Sequence, residues 1–304
     1  MDFASISQKI FRIFGRTKSK GIMRLYPIES GNFKLDGGAM FGVVPKSLWQ
    51  RTNPADANNM CSWSMRCLLI EDGDRLILVD TGIGDKQSEK FFSYYYLFGD
   101  ASLQSSIEAH GFSMDDITDV VLTHLHFDHC GGAIKRTADG QFRPVFKNAT
   151  YWSNERHWKW ATEPNAREKA SFLSENILPI EESGQLKFIE RNGNLSRNVF
   201  ENIDMLFVDG HTDSQMLPIL NYKGKKIVFM ADLLPSVGHI PLAYVMGYDT
   251  RPLITLKEKG EFLQKAAEEE YILFMEHDYD NECCTLQMTE KGVRLKDTFR
   301  LSEI

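Results

Sequence analysis

Residues 120–132 have the sequence Val-Val-Leu-Thr-His-Leu-His-Phe-Asp-His-Cys-Gly-Gly, and the rest of the chain is organised around them. An apolar run ends at Thr123, and four side chains that can bind a metal follow within six residues: His124, His126, Asp128 and His129. Imidazole and carboxylate groups are ligands of Zn²⁺ and of neighbouring divalent transition metals. If the extended backbone continues through the motif, alternation puts the first two of these side chains on one side, and the turn that ends at Gly131 and Gly132 can swing the other two towards a neighbouring position. The motif can therefore serve two adjacent ions.

The same pattern recurs three times in the second half of the chain. Apolar runs at residues 205–208, 227–231 and 271–275 are followed closely by His211, Asp232 and His277. Short continuous apolar runs are typical of strands that are buried on both faces. Because open α/β sheets place their sites at the carboxyl ends of such strands, four strands would deliver ligands to one common edge.

Other patterns indicate the surrounding elements. Residues 65–70 and 75–79 are strand-like runs joined by a turn that contains Asp-Gly, which is a strong hairpin signal. The glycine-rich residues 33–45 read as a loop. Residues 172–178 read as a helix that Pro179 stops.

These motifs together resemble those of the metallo-β-lactamase fold superfamily, from residue 22 to about residue 299. The likeness rests on the His-x-His-x-Asp-His motif, on His211 in a Gly-His-Thr turn, on Asp232 and on His277. Asp80, in an Asp-Thr-Gly turn, matches the first motif of the superfamily. The resemblance implies an α/β (α+β) fold, a four-layer αββα sandwich of two mixed sheets with helices outside.

The resemblance also implies a dinuclear centre, commonly of zinc. His124, His126 and His211 would hold one ion, and Asp128, His129 and His277 would hold the other. Asp232 would bridge the pair, and Asp80 would support the ligands from behind. Iron, manganese and cobalt are alternatives, because sets of histidine and carboxylate accept all of them.

This ligand set predicts a hydrolase. Two cations about 3.5–4 Å apart lower the pKa of a shared water towards about 7, so that a bridging hydroxide can attack an electrophile. Asp128 and Asp232 are the candidate catalytic residues, with Asp128 able to carry a proton to the leaving group. Cys130 lies between an apolar strand and two glycines, which predicts a buried packing residue and not a nucleophile.

The chain lacks features of several other branches of the superfamily. Its closest resemblance is therefore to the group of N-acyl-homoserine lactone lactonases and methyl-parathion-type hydrolases. True β-lactamases often have a cysteine where this chain has Asp232, and only 27 residues follow His277, too few for the helical domain of glyoxalase-type thioesterases. Pro235 stands where the best-known lactonases have a catalytic tyrosine. A lactone or carboxylic ester is the predicted substrate. A phosphotriester or thioester hydrolase and a non-catalytic metal-binding or sensor protein remain as alternatives.

Four residues are candidates for the substrate pocket: Met40, Phe41, His239 and Tyr248. The aromatic run at residues 91–98 is more typical of a core or of a subunit interface, so a homodimer is one interpretation. The same run could instead line an apolar entrance to the pocket.

Composition bounds the partners and the compartment. The chain has 304 residues, with 35 Lys and Arg against 42 Asp and Glu, and the net charge of −7 argues against a nucleic acid partner. No apolar run approaches about 18 residues, so no membrane span is expected. The five cysteines are irregularly spaced, which favours a reducing compartment and the cytoplasm.

The first residues differ from the rest. Residues 1–21 combine basic residues with apolar residues at helical spacing, and they predict an amphipathic extension before a hydrolase domain at residues 22–304.

Overall fold

A computed structural model describes residues 23–304, so the predicted extension at residues 1–21 lies outside the described residues. None of the described helices combines the length and the apolar character that crossing a bilayer requires.

The first sheet has six strands and is mixed. Its strands are β1 (Arg24–Asp36), β2 (Met60–Asp72), β3 (Arg75–Val79), β4 (Asp119–Val121), β7 (Thr150–Ser153) and β8 (Leu186–Phe188), in the order β1-β2-β3-β4-β7-β8. The pairs β1–β2 and β2–β3 are antiparallel, and the three remaining pairs are parallel. The predicted hairpin at residues 65–79 is therefore confirmed. A small antiparallel pair, β5 (Ile134–Arg136) and β6 (Phe142–Pro144), stands apart.

The second sheet has seven strands and is also mixed. Its strands are β9 (Leu195–Phe200), β10 (Ile203–Val208), β11 (Gln215–Tyr222), β12 (Lys225–Phe229), β13 (Ile272–Phe274), β14 (Cys283–Thr289) and β15 (Gly292–Phe299). They run in the order β15-β14-β13-β12-β11-β10-β9, and only β12 and β13 are parallel to each other.

Eight α-helices are present among the described residues. They are α1 (Gly37–Phe41), α2 (Lys46–Trp49), α3 (Glu89–Ser93), α4 (Leu103–Ala109), α5 (Phe127–Cys130), α6 (Glu155–Thr162), α7 (Ser174–Glu182) and α8 (Pro252–Glu268).

Side-chain alternation along the strands shows how the layers stack. Ile77 and Val79 of β3 pack in a core that lies between the two sheets, together with Ile227 and Phe229 of β12. Their neighbours along each strand face outwards and pack against helices: those of β3 join a core with α6 and α7, and those of β12 join a core with α8. Because strand side chains alternate with a period of two, each sheet buries both faces. The predicted four-layer αββα sandwich is confirmed.

Three local predictions were wrong. Residues 33–36 continue β1 and residues 37–41 form α1, so only the end of the glycine-rich segment is a loop. Pro179 lies inside α7 and does not stop it, because its neighbours Ile177 and Ile180 bury their side chains in the core and hold the helix there. The extended backbone does not continue through the histidine motif, because β4 ends at Val121 and α5 begins at Phe127.

Candidate metal centre

The ends of four strands bring the predicted ligands together. The motif at residues 124–129 follows β4, and His211, Asp232 and His277 follow β10, β12 and β13. The seven side chains form two groups of potential metal ligands at this edge of the sandwich, and all of them are buried. The edge predicted from the recurring pattern is therefore the edge at which these side chains meet.

The first group contains three imidazoles. His126 Nδ1 lies 3.1 Å from His124 Nε2 and 3.1 Å from His211 Nε2. The Asp232 carboxylate closes the group, with Oδ2 at 3.0 Å from His211 Nε2 and 3.8 Å from His124 Nε2. Four ligand atoms therefore surround one position.

The second group lies on the other side of Asp232. His129 Nε2 and His277 Nε2 are 3.1 Å apart, and Asp128 Oδ2 is 3.8 Å from each of them. Asp232 Oδ1 lies 3.0 Å from His277 Nε2, whereas its other oxygen faces His211. Asp232 Oδ2 also lies 3.6 Å from His129 Nε2, so the carboxylate reaches both groups, as a bridging ligand requires.

The donor set fits divalent metal ions. Nitrogens about 2.0–2.1 Å from a zinc ion at tetrahedral angles lie roughly 3.3–3.4 Å apart, close to the spacings seen here. Asp232 Oδ1 is buried without a hydrogen-bond partner. Six carboxylates of the site are buried, and none pairs with a lysine or arginine among the described residues: Asp80, Asp128, Glu168, Asp232, Asp249 and Glu276. Because uncompensated buried charge is costly, this site needs cations.

Proton affinities show the same preference for positive charge. Burial opposes the charged form of His211, but Asp232 and Asp249 outweigh burial and raise its pKa to about 10. Burial likewise opposes the charged form of His277, and Asp232 raises its pKa to about 9. Burial and the neighbouring histidines lower the pKa of His124. The field of the carboxylates therefore favours cations at the centre of the site.

Asp80 holds the motif from behind, as the resemblance implied. Its carboxylate accepts hydrogen bonds from Thr123 N at 2.7 Å and Thr123 Oγ1 at 2.6 Å, and it lies 3.0 Å from His129 Nδ1. Asp80 and Ala231, the residue before Asp232, both have positive φ angles, 59° and 40°. Such strained backbone is concentrated at functional sites.

The glycines of the motif are required by close packing. A Cβ atom on Gly131 would lie 2.1 Å from Ile83 O, and one on Gly132 would lie 2.1 Å from Thr81 O. The metal loop therefore lies directly on the backbone that carries Asp80, and a side chain at either position would separate them.

The imidazole nitrogens that point away from the cluster face groups outside it. His211 Nδ1 lies 2.9 Å from Asp249 Oδ1, and His277 Nδ1 donates to Ser64 O at 2.8 Å. His126 Nε2 lies 3.4 Å from Glu168 Oε1. Such partners fix the ring orientation and leave the other nitrogen free for a metal.

A cavity of about 380 Å³ opens over the two groups. Its walls include the apolar side chains Leu35, Met40, Phe127 and Met246, and the phenols of Tyr95 and Tyr248. His126, Asp128, His211, Asp232 and His277 also line it. Met40 and Tyr248 therefore lie where a substrate-pocket role places them.

Phe41 and His239 do not line this cavity, contrary to the sequence prediction. Phe41 stacks on His239, with ring centroids 4.2 Å apart, and on Trp49 at 5.2 Å. His239 is buried between Met40 O and Ser236 Oγ, at 3.0 and 2.8 Å from its two ring nitrogens. The two residues form the packing behind the wall, because their polar atoms and ring faces are already satisfied there.

Cys130 is a packing residue, as predicted. It is fully buried, its Sγ donates to Leu125 O at 3.3 Å, and burial raises its pKa to about 12. His157 is also buried, accepting from Leu125 N at 2.9 Å and contacting Asp213 O at 2.6 Å. Both residues therefore bind the backbone of Leu125, in the middle of the metal loop.

Several site residues carry no sequence signal of their own. Glu168 comes from a surface segment, and Asp249 lies 38 positions beyond its partner His211, whereas Tyr95 belongs to the aromatic run at residues 91–98. Glu276 could have been noticed, because it directly precedes His277 at the end of an apolar run.

Comparisons with known proteins agree with this geometry. A model of the metallo-beta-lactamase superfamily matches residues 66–277. An N-acyl homoserine lactonase from Bacillus thuringiensis is 24% identical over 279 residues, which cover 86% of this chain and 95% of that protein.

Two solved structures share the architecture. A probable metal-dependent hydrolase from Staphylococcus aureus superposes with a TM-score of 0.81 at 25% identity, covering 93% of this chain and 100% of that one. The dizinc quorum-quenching lactonase AidC superposes with a TM-score of 0.73 at 21% identity, covering 93% of this chain and 97% of that one. The second likeness shows the fold. Since the matched model extends from β2 through the last histidine of the site, the chain belongs to the metallo-beta-lactamase superfamily of metal-dependent hydrolases.

Proposed function

We propose that this protein is a dinuclear metal-dependent hydrolase that cleaves a lactone or carboxylic ester of the N-acyl-homoserine lactone type. His124, His126 and His211 would hold one divalent ion, Asp128, His129 and His277 would hold the second, and Asp232 would bridge them. Zinc is the proposed metal, since the similar lactonase AidC is described as a dizinc enzyme. The two ions supply Lewis acidity and lower the pKa of water, so that hydroxide is available at neutral pH.

One observation carries this proposal. The Asp232 carboxylate lies between the two groups of ligand atoms, 3.0 Å from both His211 Nε2 and His277 Nε2, at the floor of a cavity whose walls are largely apolar. Two adjacent cations held by these residues would supply the Lewis acidity that the hydrolysis of an ester requires. No serine or cysteine nucleophile is needed, which agrees with the buried state of Cys130.

The protein's own groups would bind the substrate and move the proton. Asp128 lines the cavity, and its carboxylate can accept a proton and pass it to the leaving alkoxide. The phenols of Tyr95 and Tyr248 remain protonated at neutral pH, because burial and the nearby Asp128 raise both pKa values, that of Tyr95 to about 12. Tyr248 therefore supplies a hydrogen-bond donor in a chain that has Pro235 in place of the expected tyrosine.

The cavity favours a neutral, partly apolar substrate. Leu35, Met40, Phe127 and Met246 provide apolar surface for an acyl chain. The chain carries a net charge of −7, and Arg167 is the only lysine or arginine among the described lining residues. A nucleic acid would find little electrostatic attraction at such a site.

The proposed location is the cytoplasm. All five cysteines are buried and unpaired among the described residues, which suits a reducing compartment.

The substrate class is tested by comparing kcat/KM for four substrates on the same zinc-loaded protein: an N-acyl-homoserine lactone, an aryl ester, a phosphotriester and a phosphodiester. We expect the lactone or the ester to be preferred. A tenfold preference for the phosphodiester, about 1.4 kcal/mol of transition-state stabilisation, would overturn the assignment. A preference for the phosphotriester would move the protein to the phosphotriesterase alternative. Binding of two ions without turnover of any substrate would favour the sensor alternative.

A further inference from the structure

Glu276 is a buried acid for which the proposed chemistry has no use. Its side chain is wholly buried, and neither carboxylate oxygen has a hydrogen-bond partner among the described residues. It lies on the loop after β13, directly before the proposed ligand His277. Burial favours the neutral form of such an acid, so the ionised form of Glu276 depends on positive charge nearby, which an ion held by His129 and His277 would supply.

The neighbour that Glu276 faces is His129. Glu276 Oε2 lies 3.1 Å from His129 Nδ1, and Asp80 Oδ2 lies 3.0 Å from the same nitrogen. A neutral imidazole has a single N–H group, which lies on Nδ1 when Nε2 is the metal ligand. In His129 this N–H group points at Asp80 Oδ2. Two carboxylates therefore converge on a single N–H group.

The rest of the site shows how unusual this arrangement is. His211 Nδ1 meets one carboxylate, that of Asp249, and His277 Nδ1 meets a backbone carbonyl, that of Ser64. His129 Nδ1 thus faces two carboxylates, whereas His211 Nδ1 faces one and His277 Nδ1 faces none. Asp80 also accepts two hydrogen bonds from Thr123, so Glu276 is the carboxylate that has no counterpart behind the other two imidazoles.

We propose that Glu276 is a positioning residue for His129 and selectively strengthens binding of the ion held by Asp128, His129 and His277. A carboxylate behind Nδ1–H fixes the ring and increases the basicity of the opposite nitrogen, Nε2, which faces the second group. The inference rests on the proposed function, because it presupposes two ions.

The test measures Zn²⁺ binding to the metal-free, full-length protein in competition with a chromophoric chelator. Wild type should bind in two steps. Glu276→Gln keeps the shape of the side chain but removes its charge, so it should weaken one step by about ten- to a hundredfold and leave the other step within about threefold. Asp249→Asn, the matched change behind His211, should weaken the other step. Glu163→Gln, an exposed control on the loop before Glu168, should change neither step.

Two results would overturn the inference. One is a Glu276→Gln variant whose two zinc affinities both match those of wild type. The other is equal weakening of both steps together with a lower thermal midpoint of the metal-free protein, which indicates a general packing defect. Wild type that binds only one ion would instead contradict the proposed function.

A second variant keeps the inference testable if Glu276→Gln fails to fold. Asp80→Asn leaves Glu276 as an acceptor for His129, so it should weaken the affected zinc step without abolishing it. Complete loss of that step in an Asp80→Asn variant whose metal-free thermal midpoint matches that of wild type would show that Glu276 contributes nothing.

Discussion

The floor of the cavity, which consists of the proposed metal ligands, and its walls, which consist of the other lining residues, are built in different ways. The floor consists of side chains at strand ends, and each imidazole there is fixed by a second contact, such as that of His211 to Asp249 at 2.9 Å or of His277 to Ser64 O at 2.8 Å. The walls come from separate loops, short helices and the end of β1, and Tyr248 is 41% exposed. The floor is therefore suited to one fixed geometry for the metals, whereas the walls can differ in shape while the chemistry stays the same.

This difference predicts two classes of variants. Changes in the floor should remove metal and activity together, whereas changes in the walls should leave the metal in place and alter substrate preference. A wall variant that loses metal, or a floor variant that changes only specificity, would break the distinction.

The largest effect is expected from the floor. Asp232→Asn should lower kcat/KM by more than about a hundredfold and reduce the metal content, because a neutral amide cannot bridge two cations as a carboxylate does. Metal analysis and circular dichroism of the same sample are the measurements. Normal turnover with two ions bound would show that Asp232 is not the bridge.

A smaller effect is expected from the polar part of the wall. Tyr248→Phe should lower kcat/KM for a lactone by about tenfold, the value of one hydrogen bond of about 1.4 kcal/mol in the transition state, while both ions stay bound. Tyr94→Phe, a change at a 59% exposed tyrosine outside the cavity, is the matched control. Equal activities of Tyr248→Phe and wild type would remove Tyr248 from the mechanism.

The apolar part of the wall should affect the dependence on chain length. Met246 lines the cavity and is 5% exposed, so Met246→Ala should reduce the gain in kcat/KM per added methylene, which is up to about 0.8 kcal/mol for a buried group. A series of N-acyl-homoserine lactones of increasing length measures this slope. Met288→Ala, a change at a 52% exposed methionine, should leave the slope as it is, and an unchanged slope in Met246→Ala would place the acyl chain elsewhere.

The smallest effect on catalysis is expected from Cys130, which packs behind the metal loop. Cys130→Ala should leave kcat within about threefold of wild type, or about 0.7 kcal/mol, because the thiol is buried and its pKa is raised to about 12. Single-turnover kinetics with zinc bound is the measurement. A complete loss of activity in a folded, metal-bound variant would point to thiol chemistry.

The same contrast explains what could be predicted from the sequence. The floor could be predicted because each ligand follows a buried apolar strand within a few residues, so that local patterns such as residues 120–132 and 271–277 reveal it. The layers of the sandwich followed from the resemblance that those motifs carry. The roles of Glu168 and Asp249 could not be predicted from the sequence, because their partners His126 and His211 are 42 and 38 positions away and only tertiary packing brings them together.

The walls were predicted only in part for a related reason. Met40 lines the cavity, but its neighbour Phe41 points the other way and stacks on His239. Consecutive apolar residues in a short helix do not reveal which face of the helix meets the site. Pro179 shows a similar limit, since burial of its neighbours keeps a helix that local propensity would end.

The metal content of the purified protein tests the dinuclear centre most directly. Protein expressed with ample zinc, dialysed and analysed by plasma mass spectrometry should contain about two divalent transition-metal ions per chain, because the floor offers two groups of ligand atoms joined by Asp232. His126→Ala should contain fewer ions while remaining folded. A wild-type protein that holds at most one ion under these conditions would contradict the dinuclear centre.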